Sequence, residues 1–278
     1  MFRRIQASWE LIKASVEVLK ADKELLIFPI LSAIGVALVS AGFIVPLFAA
    51  DLFESLVAGL GTVAGLVVGF AYYLVQYFVI FYANSALVAA ATIRLQGGDP
   101  TVRDGLEAAW SHAANILGFA AISATVGLFL NRSSKKKSGI VRLLASLAGM
   151  AWNVATFLVV PILVVEGVGP LDAIKRSAEL LKRTWGEQIS GTLSMGAVFG
   201  LIGVAVLVVG GALIALMIWL NVWQVAIVIG ALMLIAWLAL GLINSTLGGI
   251  YRAAVYHYAT TGQGGGFYDE DLVSHAFR

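Results

Sequence analysis

Few residues in the long apolar stretches of this sequence could do chemistry, and three of them are asparagines. Asn84, Asn153 and Asn244 are polar residues that each lie within a long stretch without charged residues. An amide offers two donors and an acceptor, and it is costly to leave unpaired in hydrocarbon. We therefore expect the three side chains at similar depths on bundle-facing sides of three helices. There they would either join neighbouring helices or line a pore.

Glu166 is the only carboxylate directly continuous with the end of a predicted span, where it follows VVPILVV. Ionisable groups buried at membrane depth tend to be functional, so a proton or ion role is one interpretation. The interpretation that we favour is a solvated carboxylate at the end of a span. Such a group would cap the next turn or pair with Lys175 or Arg176.

Catalytic and metal-binding patterns are missing from the sequence. The three histidines, His112, His257 and His275, do not stand at metal-ligand spacing, and there is no cysteine. No nucleophile elbow, phosphate loop or dinucleotide motif occurs. We therefore expect a protein that is not an enzyme and that has no metal or cofactor. A net charge of only +2 gives no support to a nucleic-acid partner.

Composition and uncharged runs predict an integral membrane protein. Hydrophobic residues make up 60% of the chain and charged residues 12%, against about 25% charged in soluble domains. The runs without Asp, Glu, Lys or Arg are 25–50, 55–93, 112–131, 143–165 and 189–251. Because a span needs about 20 apolar residues, these runs predict six transmembrane helices in one all-α domain over 1–262. Residues 56–71 would be either a helical extension or a re-entrant piece. Residues 263–278 would form a flexible linker and a short cytosolic tail.

Three amphipathic helices are predicted beside the spans, at about 2–20, 100–113 and 170–186. In the third, charged residues fill one side, and apolar residues recur on the other side every three or four positions: Leu171, Ile174, Ala178, Leu181 and Trp185. This pattern is typical of a helix that lies in the membrane interface or packs on the protein's own cytosolic side. The predicted interfacial anchors are Trp9, Trp110 and Trp185.

An internal repeat is the second organising feature. Each amphipathic helix precedes an odd-numbered span, and each even-numbered span carries one asparagine of the trio. We therefore predict three pseudo-repeated helical hairpins around a pseudo-threefold axis, each preceded by a cytosolic-side amphipathic helix. Glycines at short spacing predict helix surfaces that approach closely: Gly61, Gly65, Gly69, Gly196 and Gly200.

The distribution of Lys and Arg predicts an inside N-terminus. With six spans, 13 of the 18 basic residues fall on the N-terminal side of the membrane and 5 on the other side. The basic run Lys135–Lys137 conflicts with this arrangement. Either the third span does not cross fully, or this loop is a tolerated exception.

One stretch carries a resemblance to known families: VVPILVVEGVGPLDAIKRSAELLKRTWGE. Together with NSALVAAATIRLQGGDPTVRDGLEAAW, it resembles an uncharacterised family of prokaryotic multi-span membrane proteins. It is also loosely similar to the membrane domain of some glycerophosphodiester phosphodiesterases. That second likeness rests on Pro161, Glu166, Gly167, Ala173, Arg176 and Ser177. The resemblance implies a multi-pass fold in a prokaryotic plasma membrane, and the distribution of Lys and Arg over six spans predicts that both termini are cytoplasmic. The resemblance implies no activity.

Three functional hypotheses follow. The first is a non-enzymatic, homo-oligomeric membrane protein that anchors or organises the cytosolic membrane face, with the lipid bilayer as its partner. The alternative is a channel or carrier for a small ion or solute. A membrane enzyme that acts on lipids is the third. A polar-lined, water-filled path would favour the second hypothesis, and a dry, packed axis would favour the first.

Overall fold

The structure, a computed structural model, describes residues 13–49, 63–134, 139–184 and 190–262. Over these ranges the chain is all-helical. The first described residues form a helix, α1, that ends at residue 21. After a short 3-10 turn at Lys23–Leu26, the helices are α2 Ile27–Ala49, α3 Val63–Leu95, α4 Val102–Ser111, α5 Ala113–Ser134, α6 Gly139–Ala155, α7 Val159–Val165, α8 Pro170–Thr184, α9 Ser190–Trp219 and α10 Trp223–Thr261.

Six stretches of these helices are long and apolar enough to cross a membrane, which confirms the predicted all-α class and the six spans in the described ranges. They are Lys23–Ala49, Gly65–Leu95, Ala113–Leu130, Leu143–Val165, Phe199–Trp219 and Trp223–Thr261. The threefold repeat and its arrangement as three hairpins stay a prediction. Residues 63–71 continue the helix of the second span, so the re-entrant alternative does not hold for them. Residues 56–62 and Lys135–Lys137 lie outside the described ranges.

The fourth span, predicted as one helix, is broken at residues 156–158. Pro161 has no N–H to donate to the carbonyl of Phe157, so the regular helical ladder is interrupted there. The backbone instead closes tighter turns, with Phe157 N donating to Val154 O and Val159 N donating to Thr156 O, each at 3.2 Å. The fourth predicted span is therefore present as two helices, α6 and α7, joined by these turns.

Ser177 of α8 stabilises this break. Its side chain is fully buried, and its Oγ accepts a hydrogen bond of 3.1 Å from the backbone N–H of Leu158. The serine thus supplies an acceptor that the broken helix lacks.

We expect Ser177→Ala to lower the free energy of unfolding by about 1–3 kcal/mol, because it removes only the hydroxyl and leaves a buried N–H unpaired. Urea or detergent unfolding of the purified protein measures the effect. Glu179→Ala, at an exposed position on the same helix, is the control. Equal stability of the two variants would contradict this account of the break.

The buried core lies toward one end of the bundle. It joins residues 83–91 of α3, 158–164 around α7 and 246–256 of α10, and α1, α4 and α8 pack around it. At 39 residues α10 is about 58 Å long, nearly twice a bilayer core of about 30 Å. Its first half exposes large apolar side chains, as does most of α9, whereas its last third is buried. The exposed halves have the character of lipid-facing surface.

A polar contact joins α2 and α3 within the spans. Gln76 donates from Nε2 to Ser40 Oγ at 2.7 Å, to Tyr72 OH at 3.1 Å and to the carbonyl of Val36 at 3.3 Å. An amide that reaches a neighbouring helix in this way satisfies its donors without water. This is the role that the sequence allowed for the three asparagines.

The close approach of helices at the five predicted glycines stays a prediction, and two of these glycines have open surroundings within one chain. A Cβ on Gly69 or Gly200 would meet no atom within 4 Å. Gly65 is buried, Gly61 lies outside the described ranges, and nothing is described of the surroundings of Gly196. Close approaches occur at other glycines instead. Examples are Gly35 against Val79, Gly105 against Phe28 and the Ala86 carbonyl, and Gly249 against Leu87.

The amphipathic helix α8 buries only part of the predicted stripe, Leu181 and in part Ile174, together with neighbouring residues. Ala173, Ser177, Leu180 and Leu181 are buried, whereas Leu171 and Ala178, assigned to the apolar stripe by spacing, are exposed. Small residues face the core because α8 packs closely on α6 and α7, where Ser177 reaches the helix break. Of the helix predicted over 2–20, the described part 13–21 is helical and buries Val18 and Ser15.

Candidate ligand-binding cavity

A cavity of about 510 Å³ lies between α3, α5, α6, α7 and α10. Its size falls in the range of small-molecule sites, about 300–1,000 Å³. The lining residues are Tyr77, Phe81, Asn84, Phe119, Ser123, Val126, Gly127, Leu130, Gly149, Trp152, Asn153, Thr156, Phe157, Val160 and Arg252. They come from the second, third, fourth and sixth of the helical stretches that are long and apolar enough to cross a membrane.

Two of the three predicted asparagines meet in this cavity. Asn84 comes from α3 and Asn153 from α6. Neither amide makes a hydrogen bond to another group in the part of the chain that the structure describes. Asn244, on α10, does not line the cavity. The trio is therefore split, and two of its members present unused donors and acceptors to one open space.

Arg252 is the residue that the sequence reasoning missed. It projects from α10 into the cavity, is half-buried, and places its guanidinium over the ring of Phe157 at 5.7 Å from the centroid. No carboxylate of the described residues lies within ion-pair distance of it. A signal was available, since Arg252 is the only Asp, Glu, Lys or Arg between Glu187 and Asp269.

Hydroxyl groups add further polar atoms to the lining. Ser123 on α5 is 5% exposed, and its Oγ has no hydrogen-bond partner in the described structure. Thr156 donates its hydroxyl proton to the carbonyl of Trp152 at 2.8 Å, so its oxygen can still accept. Buried polar groups are usually paired, and an orphaned hydroxyl beside an open cavity indicates a missing partner.

Aromatic rings form the apolar wall. Tyr77 stacks on Phe81 with centroids 5.6 Å apart, and Phe81 packs against Phe119 at 4.6 Å. These rings link α3 to α5 and hold the two helices apart beside the polar atoms. The cavity thus combines one cation, several neutral hydrogen-bonding groups and a rigid apolar side.

Glu166 lies at the end of α7 and does not line the cavity. Its Oε1 accepts a hydrogen bond of 3.1 Å from the hydroxyl of Tyr256 and lies 3.5 Å from Nε of Arg176. Of the two basic partners that the sequence offered, Arg176 is the one found, and Lys175 lies nearest Asp172 at 3.9 Å. This pairing agrees with the favoured interpretation of Glu166, and an ion or proton role for it stays a prediction.

The turn after Glu166 ties α5 to the end of α7. Gly167 has a φ of +66°, a conformation that favours glycine, and a Cβ there would lie 3.1 Å from Nε2 of His112. Asn115 donates from Nδ2 to the carbonyl of Gly167 at 3.1 Å. These contacts fix one end of the wall that carries Ser123, which lies two turns further along α5.

Trp110 is 71% exposed on α4, beside Tyr82 in an edge-to-face contact at 6.4 Å. Ala109, which is fully buried, takes the core-facing position instead. At the start of α4, Thr101 donates from its backbone N and its hydroxyl to Asp104 Oδ2, and these bonds hold the pKa of that carboxyl below its usual range. Trp9 and Trp185, the other predicted anchors, lie outside the described ranges.

Six helical stretches of the described residues are long and apolar enough to cross a membrane, and four of them line the cavity, which is the architecture of a multi-pass helical membrane protein. The chain belongs to the family of unknown function DUF6159, which matches residues 63–267. No curated protein and no solved structure matches the chain. The predicted membership of an uncharacterised family is confirmed in that form, and no comparison links the chain to glycerophosphodiester phosphodiesterases.

Proposed function

We propose that the protein is a non-enzymatic membrane protein that binds an anionic ligand in the cavity around Arg252. This is the small-solute alternative of the sequence analysis, restricted to binding. The observation that carries it is a half-buried arginine in a cavity whose other lining residues are all uncharged.

The energetics of a desolvated charge support this proposal. Arginine stays protonated in proteins, so Arg252 cannot avoid the cost of burial by losing its proton. A buried cation without an opposite charge costs several kcal/mol, which the ring of Phe157 offsets only in part. An anion in the cavity would remove that cost and would use the free donors of Asn84, Asn153 and Ser123.

The non-enzymatic part of the proposal rests on the chemistry of the lining. General acid–base catalysis uses a carboxylate, histidine, lysine, tyrosine or cysteine of suitable pKa. Among the lining residues only Tyr77 belongs to these types. The arrangement is suited to holding a ligand rather than to transforming one.

The experiment compares two probes of nearly equal shape in thermal unfolding of the purified protein. Benzenesulfonate carries one negative charge, and benzenesulfonamide is neutral. We expect benzenesulfonate to raise Tm, benzenesulfonamide to have little effect, and Arg252→Gln to abolish the difference. At ten times its Kd the anion would add about 1.4 kcal/mol of stability. Equal shifts by the two probes in the unmodified chain would contradict the proposal.

Anchoring at the membrane surface is the second candidate function, and the exposed Trp110 and Leu171 favour it. Both side chains stand on amphipathic helices and are suited to the headgroup region. Under this candidate the chain would form homo-oligomers with both termini in the cytoplasm. A cysteine at position 221 would then react only from outside the cell, and cross-linking would reveal the oligomer.

The anchoring candidate predicts a strong effect at Trp110. Trp110→Glu would place a charge in the interface and weaken membrane association of the helix, whereas Glu107→Gln on the polar face would be mild. Depth-dependent quenching of a fluorophore attached to α4 measures the association. Equal quenching in the two variants would rule out an anchoring role for Trp110.

A further inference from the structure

The charge of the cavity restricts the kind of anion that it can hold. Arg252 contributes one positive charge, and the other lining residues contribute none at neutral pH. A singly charged anion would neutralise the cavity, whereas a doubly charged one would leave an uncompensated charge away from water. The site therefore favours monoanions over sulfate or a phosphate monoester dianion.

The number and type of donors indicate an anion with several oxygens. A guanidinium presents a fork of N–H groups that matches two oxygens of one group. The amides of Asn84 and Asn153 add N–H donors from two other helices. Ser123 adds a hydroxyl that is more than nine-tenths buried, lines the cavity and has no partner among the described residues. Four side chains from four helices thus converge on one space.

The apolar wall indicates that the anion carries carbon on more than one side. Phe81, Phe119 and Trp152 line the cavity together with Val126 and Leu130. A bare inorganic ion would leave this surface uncovered, whereas ester substituents would cover it. Because the cavity is lined by four helical stretches of membrane-spanning length, a ligand whose hydrocarbon chains stay in the bilayer could place its headgroup there.

From these three observations we infer that the cavity binds a phosphodiester, a tetrahedral monoanion with carbon on two of its oxygens. The inference rests on the proposed function and names the chemical class of its ligand. Two sources share this chemistry, the headgroup of a membrane phospholipid and a water-soluble phosphodiester. Arg252 binds the charged oxygens, and Asn84, Asn153 and Ser123 complete their hydrogen bonding.

The test measures binding to the purified full chain in a neutral detergent. The probes are dioctanoyl phosphatidylglycerol, dimethyl phosphate and dioctanoylglycerol, which has the acyl chains but no phosphate. Arg252→Gln removes the cation, and Ser123→Ala removes the orphaned hydroxyl. Lys175→Gln, at an exposed position on α8, removes one charge away from the cavity and is the control.

We expect phosphatidylglycerol to bind and dioctanoylglycerol to bind at least about tenfold more weakly. Arg252→Gln is expected to raise the Kd for phosphatidylglycerol by about tenfold or more, and Ser123→Ala by about three- to tenfold. Lys175→Gln is expected to leave the Kd for phosphatidylglycerol unchanged. Ser123→Ala also retains its Tm, because the hydroxyl has no partner to lose, so this variant decides the matter if Arg252→Gln does not fold.

The remaining outcomes distinguish a lipid ligand from a soluble one, and the phosphodiester assignment from the proposed function. If dimethyl phosphate displaces phosphatidylglycerol at equal concentration, a soluble ligand is supported. If only the lipid binds, the bilayer is supported as the source of the ligand. Equal binding of dioctanoylglycerol, or an unchanged Kd in Ser123→Ala, overturns the inference. If benzenesulfonate still stabilises the protein through Arg252 in that case, the proposed function stands and only the phosphodiester assignment fails.

Discussion

Phe28→Ala is expected to lower the free energy of unfolding by about 3–5 kcal/mol, one of the two largest effects that we predict. The side chain is 1% exposed at the start of α2. Its ring lies against Gly105 of α4, next to the carbonyl of Ala86 in α3. Truncation would leave a cavity where three helices meet, and backbone packed this tightly cannot collapse to fill it.

Phe129→Ala is the matched control for this prediction. Phe129 is 71% exposed near the end of α5, so the same change removes little packing within the chain. Unfolding in increasing concentrations of a denaturing detergent compares the two variants. If Phe129→Ala costs as much as Phe28→Ala, the core does not lie where the structure places it.

Two adjacent glycines of α10 should respond in opposite directions to the same substitution. A Cβ at Gly249 would lie against Cδ2 of Leu87 and 2.8 Å from its Cγ, and Leu87 is itself fully buried. Gly249→Ala would therefore overpack the contact between α10 and α3, at a cost of about 1–3 kcal/mol. A Cβ at Gly248 would meet no atom within 4 Å, so Gly248→Ala would gain helix propensity, about 0.8–1 kcal/mol.

Both substitutions gain the same helix propensity, so the expected difference in stability between the two variants is the overpacking cost, about 1–3 kcal/mol. Thermal unfolding of the two purified variants in one detergent measures it. Helix propensity changes equally at the two sites, so it cancels in the comparison and leaves the packing term. A lower Tm for Gly248→Ala than for Gly249→Ala would mean that the contact between α10 and α3 is rotated from its described position.

The membrane class and the number of spans could be predicted from the sequence because they depend on local composition. A run such as 189–251 without charged residues has few alternatives to crossing the membrane twice. The break in the fourth span was harder to predict from the sequence. Pro161 gives a local reason for a break, but its place depends on Ser177, which is 19 residues away from Leu158 and reaches it only in the folded protein.

Only part of the cavity lining could be predicted from the sequence. Asn84 and Asn153 were selected as intramembrane amides, and they do line one space, but sequence spacing grouped them with Asn244, which lies elsewhere. Arg252 entered only as one of the basic residues that set the orientation. Its isolation in a long uncharged stretch was the usable signal. The cavity itself could not be predicted from the sequence, because it results from how α3, α5, α6 and α10 pack rather than from any one helix.

The stripe on α8 shows the limit of periodicity arguments. Spacing alone selected Leu171 and Ala178, yet the chain buries Ala173 and Ser177. Hydrophobicity predicts which residues avoid water, whereas close packing between helices selects small residues. In a membrane protein both lipid and protein can cover an apolar side chain, so the larger residues need not face the core.

The most direct test of the anion-binding cavity uses the absence of cysteine from the chain. A single cysteine is placed by Asn153→Cys, and its reaction rates with two thiosulfonate reagents are compared, one carrying a sulfonate and the other a trimethylammonium group. The positive potential of Arg252 in a poorly screened cavity should favour the anionic reagent by about tenfold. Adding Arg252→Gln should remove that preference at the same cysteine. A ratio of rates that stays the same with and without Arg252 would contradict the account.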